Sequence, residues 1–515
     1  MLRGWFLVRV AAALTTAAAI GVQARGAAQV ANTSAVFDEI RRLGLSESSQ
    51  VMDYAFFLTD VAGPRLTGSP AYRQAGEWAL TRLRDLGLTV DREPFVFGGS
   101  WSERRFTIRM AEPQETTLIG TSVPWSASTP GEVVGEPIIA PLLATDITQQ
   151  TYEEYVEKYK GKLRGRFVFL HPVREVPLPT QPLATRIPDE ELDRLSKAPV
   201  APPGAELPEA VWAELRMWGQ RLNQFFRDEG VLALVRQNRG EGGTVLSVTQ
   251  DWAKLAPGGL VPSVFLAVEH YNRVVRLTER GIRVRLALDL QSTFHEDAAA
   301  TFNVIGEIPG TSARGEVVMV GAHLDSWTGG TGATDNAAGS AIAMEAMRIL
   351  ASLPARPNRT IRIALWGGHE GAGPGPGGSG SYVRQHFGTA QAPTAQHRQF
   401  RLYLNLDNGG GRIRGVYLPA RHAELTDRFR AWFTPLGDLG ASAVIPVGQP
   451  GGSDHVAFYE AGLPAAMFVQ DPLDYRSLTR HSNQDLFDRL HKDDMRQAAT
   501  VTATVLWQAA NQPRE

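Results

Sequence analysis

The stretch Val317 to Leu350, VVMVGAHLDSWTGGTGATDNAAGSAIAMEAMRIL, constrains the fold more than any other part of the chain. Its apolar start, Val317 to Val320, reads as a buried strand that ends at Gly321. His323, Asp325 and, twelve residues after the histidine, Asp335 follow at once. A small-residue helical stretch, Ala337 to Leu350, then leads away. Ligands of open α/β sheets bind outside the carboxyl ends of strands, so a histidine and two aspartates here are placed to meet one. Imidazole and carboxylate together are donor types that suit zinc.

A chain of 515 residues is long enough for two or three domains, because a single core stops growing near roughly 250 to 300 residues. Lys plus Arg number 52 against 54 Asp plus Glu, a net charge of −2, which lacks the electrostatic footprint nucleic acid demands. The opening residues carry Arg3, an apolar stretch and then Val22-Gln23-Ala24, which predicts a signal peptide over 1–24 and export to the periplasm or the medium. Arg9 interrupts the apolar run and leaves it shorter than the roughly 20 residues of a membrane span, so no stable span is expected. With no cysteine at all, an exported chain must rely on its core and on metal rather than on disulfides.

Along the chain, Val36 to Leu45 and Val51 to Gly63 read as short helices. In GPRLTGSPAYRQAGEWALTRLRDLGL, Ser69 is a good N-cap with Pro70 at the first helical position. Ala75, Trp78, Ala79, Leu83 and Leu86 fall at helical spacing before Gly87 closes the helix. Strand-like pieces follow at Leu88 to Phe97 and Arg105 to Met110. From about Val123 to His295 proline-rich stretches separate short β-like pieces around one clear helix, Val211 to Gly230, and the shift in texture predicts an inserted domain. From Ala298 strands and helices alternate, with strands predicted at Val317–Val320, Thr360–Trp366, Phe400–Leu406 and Ala465–Val469. The expected fold class is α/β, a mostly parallel mixed sheet flanked by helices. The expected division is 32–122 and 296–515 for one domain, with 123–295 inserted.

Three of the four strands end at candidate ligands: His323, the pair His369-Glu370, and Asp407. A loop beyond the fourth leads to His481. Each has an ordinary explanation alone, such as an N-cap for Asp335 or a solvated loop residue for Glu370. Together, His323, Asp335, Glu370, Asp407 and His481 supply what two metals bridged by one carboxylate require. Asp325, two residues from His323, is placed to accept the other ring N–H and orient the imidazole.

The chain resembles the zinc exopeptidase family that includes bacterial leucyl aminopeptidase and plasma glutamate carboxypeptidase (carboxypeptidase Q). The matching stretches are GPRLTGSPAYRQAGEWALTRLRDLGL, GAHLDSWTGGTGATDNAAG, RIALWGGHEG, LNLDNGG, GGSDHVAFYEAGLPAAM and RHSNQDLFDRL. The resemblance implies the zinc exopeptidase fold, interrupted by a β-rich protease-associated domain, and two Zn2+ ions. It implies that Asp335 bridges them, with His323 and Asp407 completing one site and Glu370 and His481 the other. It also implies a cis bond between Asp335 and Asn336. The substrate implied is a short peptide or dipeptide, and a homodimer is left open.

The departure from the family is His369, where members usually carry a glutamate that serves as general base. Two readings stand. Either the histidine takes the proton, since its ordinary pKa lies near neutrality, or the exchange removes most turnover and leaves a zinc-holding homologue that binds peptide. The glycine- and proline-rich loop 371–381 after it appears longer than in members. His369-Glu370 does not open a helical His-Glu-x-x-His motif, because position 373 is glycine and the glycines and prolines around it forbid that helix. There is no Gly-x-Ser-x-Gly, and the Gly-rich loop lacks the ending of a phosphate loop. Asp454 and His455 read as shaping the pocket, and the tyrosine some members place just upstream is missing from GQPGGS. Whether the amino or the carboxyl end of a peptide is gripped depends on which charged group the inserted region presents.

Overall fold

The computed structural model describes residues 34–142, 149–200, 209–249, 258–295, 301–312, 314–371, 377–449 and 451–513. The expected signal peptide at 1–24 lies outside the described residues, as do positions 372–376 of the Gly/Pro-rich loop. Among the described residues no helix is long and apolar enough to cross a membrane.

One mixed sheet carries the chemistry. Its strands are β1 (Thr89–Phe95), β2 (Thr301–Ile308), β3 (Val317–His323), β4 (Thr360–Trp366), β5 (Phe400–Asn405), β6 (Ile413–Pro419), β7 (Ala443–Val447) and β8 (Ala465–Gln470). They lie in the order β1-β2-β4-β3-β5-β8-β6-β7. The central strands β4, β3, β5 and β8 run parallel, and these are the four predicted from sequence. Antiparallel pairs join β1 and β2 at one edge and turn the chain back between β8 and β6. The register sets His323 opposite Trp366 and Gly321 opposite Asn405, so β3, β4 and β5 end at one level.

Helices cover both faces. In α1 (Pro70–Asp85), the Ser69 hydroxyl accepts from the Tyr72 amide at 3.1 Å, the expected cap. Its buried face of Ala75, Ala79 and Leu83 packs on the sheet. Helix α2 (Ala338–Ala351) is buried from Ala338 to Leu350, and its small side chains let it pack closely against both the sheet and the neighbouring helix Lys492–Asn511. Helix α3 (Gly377–His386) and α4 (Lys492–Asn511) complete the layers.

A second sheet spans Ser100–Glu112 to Arg285–His295 and encloses its own apolar core of Phe167, Phe169, Val264, Tyr271 and Leu288. It takes in Ser100–Glu112, upstream of position 123, because that strand pairs along its length with Arg285–His295. The predicted helix Val211 to Gly230 is present as Glu209–Glu229.

Candidate active site

At the carboxyl ends of β3, β4 and β5 the chain gathers all five predicted ligands. Asp335 stands in a π-helical turn, Ala333–Ala337, between β3 and α2, and its bond to Asn336 is cis, as the resemblance implies. Its two carboxylate oxygens face opposite ways. Oδ1 lies 3.2 Å from Nε2 of His323, which in turn is 3.3 Å from Asp407 Oδ1. Oδ2 lies 3.1 Å from Nε2 of His481, which is 3.2 Å from Glu370 Oε1.

These separations carry a chemical meaning. Ligand atoms held about 2.0–2.1 Å from one zinc ion in a tetrahedron stand about 3.4 Å from each other. Nε2 of His323, Oδ2 of Asp335 and Oε1 of Glu370 are buried and make no hydrogen bond. Buried polar atoms that converge without partners fit a cation. His323, Asp335 and Glu370 bring ligand atoms within 4.8 Å of one another, and so do His323, His369 and Asp407. Burial opposes charge throughout, yet the carboxylates outweigh it and push His481 up to about 10 and His323 well above its ordinary value. Burial also opposes ionisation of Asp335, but His323 and His481 hold its carboxyl well below the usual range.

The surrounding shell fixes these side chains. Nδ1 of His323 faces the Asp325 main-chain carbonyl at 2.9 Å and the Asp325 carboxylate only at 3.5 Å. The expected orienting contact is therefore made mainly by the backbone of Asp325. Its Oδ2 instead accepts from the Thr67 hydroxyl at 2.6 Å and from the Glu370 amide at 2.9 Å, so Asp325 ties the two strand ends together. Thr67 Oγ1 also accepts from the Gly368 amide at 2.8 Å. Asp485 accepts from the Thr334 amide at 2.6 Å, the Thr334 hydroxyl at 2.7 Å and the Asp335 amide at 3.1 Å, which pins the turn that carries Asp335. Burial and then the Asp335 charge push Asp485 up to about 7. Arg65, fully buried, donates to the carbonyls of Leu324, Thr331 and Gly332 at 2.7–2.9 Å. Thr67, Arg65 and Asp485 were not singled out from sequence, although all stand in the stretches that carry the family resemblance.

His369 lies flat on His323, with ring centroids 4.0 Å apart and planes 5° off parallel. Its Nδ1 meets Asp454 Oδ2 at 3.2 Å, and its Nε2 faces Asp407 Oδ2 at 3.8 Å. Burial and the neighbouring His323 pull its pKa down, but Asp454 and Asp407 prevail and push it up to about 9. Asp454 thus does more than shape a wall. His455 is buried, which takes it down to about 4, and it lines a cavity on the Asp407 side.

An α/β sheet with this cluster at its carboxyl edge is the zinc exopeptidase fold. A Peptidase M28 precursor from Shewanella amazonensis superposes over 94% of this chain and 98% of its own, with TM-score 0.65 and 22% identity. A zinc aminopeptidase from Bacillus subtilis does so over 90% and 95%, with TM-score 0.55 and 19% identity. Residues 303–506 match the model of Peptidase family M28. Carboxypeptidase Q of Bos taurus is 29% identical over 266 residues, 51% of this chain and 52% of that protein. The chain thus spans about half the length of the curated relatives it matches.

Proposed function

We propose that this chain is an exported, zinc-dependent exopeptidase that hydrolyses short peptides or dipeptides with two Zn2+ ions. The observation that carries the reading is Asp335, whose two oxygens face one histidine–carboxylate pair each at 3.1–3.2 Å. His323 and Asp407 would hold one ion, Glu370 and His481 the other, and Asp335 both. When bound, zinc would polarise a peptide carbonyl and lower the pKa of water toward neutrality. His369, kept in one orientation by Asp454, would accept the proton released on attack. Cations beside it favour its neutral, proton-accepting form. Asp325 would serve as a positioning residue through Glu370 and His323. The division into 32–122, an inserted protease-associated region at 123–295 and 296–515 is part of the same proposal.

Purified protein with defined zinc loading, offered a panel of dipeptides and aminoacyl reporters, tests this reading. Hydrolysis that falls with chelation and returns with zinc is expected, and turnover indifferent to prolonged chelation would refute it.

A second reading has one observation in its favour. With Nδ1 on Asp454 and Nε2 toward Asp407, His369 is disposed to complete a four-ligand site, and closed zinc sites are structural rather than catalytic. The chain would then hold zinc and bind peptide with little turnover. His369→Ala and His369→Glu separate the two. A base role predicts that alanine lowers kcat about 10²- to 10⁴-fold, whereas a gain with glutamate would mark the native site as impaired.

A further inference from the structure

The second sheet has a ligand-sized space of its own, lined by none of the residues of the metal cluster. Four of its strands, Val133–Ile139, Arg166–Phe169, Ala233–Arg236 and Ser263–Leu266, run parallel. Helices cover both faces. Tyr155 of Gln149–Tyr159 and Phe226 of Glu209–Glu229 pack with Val168 and Leu234 on one side. Tyr271 and Val275 of Val268–Glu279 pack with Phe167 and Val235 on the other. This is a small α/β unit, and the crevice such a unit offers a ligand lies outside the carboxyl ends of its strands. A cavity of about 570 Å³ opens there, between the sheet and the helix Glu209–Glu229, within the size range of small-molecule sites.

Its wall is mainly apolar, with Leu170, Leu215, Leu222, Phe226 and Leu260 in it, but Arg236 and His171 also line it. Arg236 ends its strand on the same side as Leu234, and His171 stands two residues past the end of the neighbouring strand. Nε of Arg236 and Nδ1 of His171 are buried and make no hydrogen bond. Among the described residues no carboxylate pairs with Arg236. The groups that act on its charge are the phenols of Tyr155 and Tyr271, whose hydroxyls already donate to the carbonyls of Ala140 at 3.1 Å and His171 at 2.8 Å. Other arginines of this part of the chain are paired, Arg166 with Glu136 and Arg174 with Glu241. No acidic side chain lines the cavity among the described residues. A guanidinium withdrawn from water without a partner is costly, and an anion in the cavity would relieve that cost.

The surroundings select the kind of anion. Burial and then Arg236 take His171 down to about 4, so it is neutral at pH 7 and brings no second charge. One guanidinium fork matches the two oxygens of a carboxylate, whereas a phosphate dianion calls for more positive charge than Arg236 alone supplies. The remaining polar groups of the wall are engaged. Asn223 donates to the Gly259 carbonyl and accepts from the Val261 amide, and the Ser263 hydroxyl donates to the Val261 carbonyl. A peptide laid in the cavity would find few partners for its N–H and C=O groups, whereas an alkyl chain needs none. We infer that this cavity binds a medium-chain aliphatic monocarboxylate, its carboxylate on Arg236 beside His171 and its chain along Leu222 and Phe226. The inference does not depend on the hydrolytic reading.

Calorimetric titration of the full zinc-loaded chain with octanoate, hexanoate and 1-octanol tests it. A charge-assisted contact changes binding about 10- to 100-fold, so octanoate is expected to bind tighter than octanol by that factor. Each buried methylene is worth on the order of fourfold, so octanoate should bind about 15-fold tighter than hexanoate. In Arg236→Met, octanoate falls to the level of octanol while octanol keeps its affinity, and Arg236→Lys recovers part of the difference. Should Arg236→Met fail to fold, the comparisons in the unaltered chain decide. Equal binding of octanoate and octanol, or no heat from octanoate at millimolar concentration, overturns the inference. Octanoate binding that Arg236→Met leaves unchanged overturns it too, since that carboxylate would sit on the metal ions. Displacement of octanoate by an equal concentration of inorganic phosphate would likewise refute a carboxylate site.

Discussion

Asp325 shows where reading residues by type and spacing succeeds and where it stops. Two positions after His323 it had to lie beside the ring, and it does. Spacing alone does not distinguish its carbonyl from its carboxylate, and the carbonyl makes the closer contact, 2.9 Å against 3.5 Å. The carboxylate is left to hold Thr67 and the Glu370 amide, partners that no local pattern announces. Replacing Asp325 by asparagine keeps the shape but weakens both contacts. Zinc affinity is expected to fall about 10- to 100-fold, read by competition with a chelator; an unchanged affinity would mean the carboxylate does not position Glu370. The raised values of His323 and His481 lead to a second expectation. A cation must displace protons from both rings, so apparent zinc affinity should rise with pH through the range 6 to 9, and a flat profile would contradict the ligand assignment. The convergence of these side chains was legible because His323, Glu370 and Asp407 each follow an apolar run. The contact between His369 and Asp454 was not, since 85 residues separate them in sequence.

Among elements, the four central strands were readable because a strand covered on both faces is largely apolar, as in Val317–Val320 and Ala465–Val469. Strands β6 and β7 escaped notice because arginine and glycine break the first, IRGVYLP, and Pro446 stands in the second, AVIPV. Both lie toward the sheet edge, where proline is tolerated and the pattern weakens. The far end of the sheet is fastened by Glu316, just ahead of β3. It accepts from Arg359 Nε at 2.7 Å and Arg401 Nη2 at 2.9 Å, while Arg359 also donates to the carbonyls of Ala509 and Gln512 beyond or within α4. Burial opposes this charge, but Arg401 and Arg359 prevail and lower Glu316 to about 2. A carboxyl depressed on folding stabilises above its unfolded pKa of about 4.3, and the contribution fades as pH falls toward 2. Glu316→Gln should therefore cost about 3 kcal/mol near pH 7, because the buried Arg359 and the half-buried Arg401 lose their partner. In thermal or urea unfolding the gap from the unaltered protein should narrow steadily below pH 4; a gap independent of pH would place the cost in packing instead.

At the scale of the molecule, the second sheet does more than sit beside the first, since it props the segment that carries His481. The Ser247 amide donates to the His481 carbonyl at 2.8 Å. Asn483 holds the same segment from its other side: its Oδ1 accepts from the Val245 amide at 2.8 Å, its amide donates to the Val245 carbonyl at 2.9 Å, and its Nδ2 donates to the Gly243 carbonyl at 3.1 Å. From sequence the change of texture after Val123 pointed to a separate module, and His481 was read only as the end of a long loop. Nothing local could reveal that residues 243–247 brace it, because the contact closes over more than two hundred positions. Asn483→Ala removes two of these hydrogen bonds and leaves the metal-facing side chains untouched. Stability should fall by about 1 to 3 kcal/mol, the range for leaving buried donors and acceptors unpaired. The metal site should respond unevenly. On the proposed two-zinc reading, only the ion that Glu370, His481 and Asp335 would share depends on this brace, so one zinc equivalent should loosen about tenfold in chelator titration while the other keeps its affinity. Loosening of both ions alike would mean that the two halves of the cluster move as one, with Asp335 rather than the second sheet governing how firmly His481 is held.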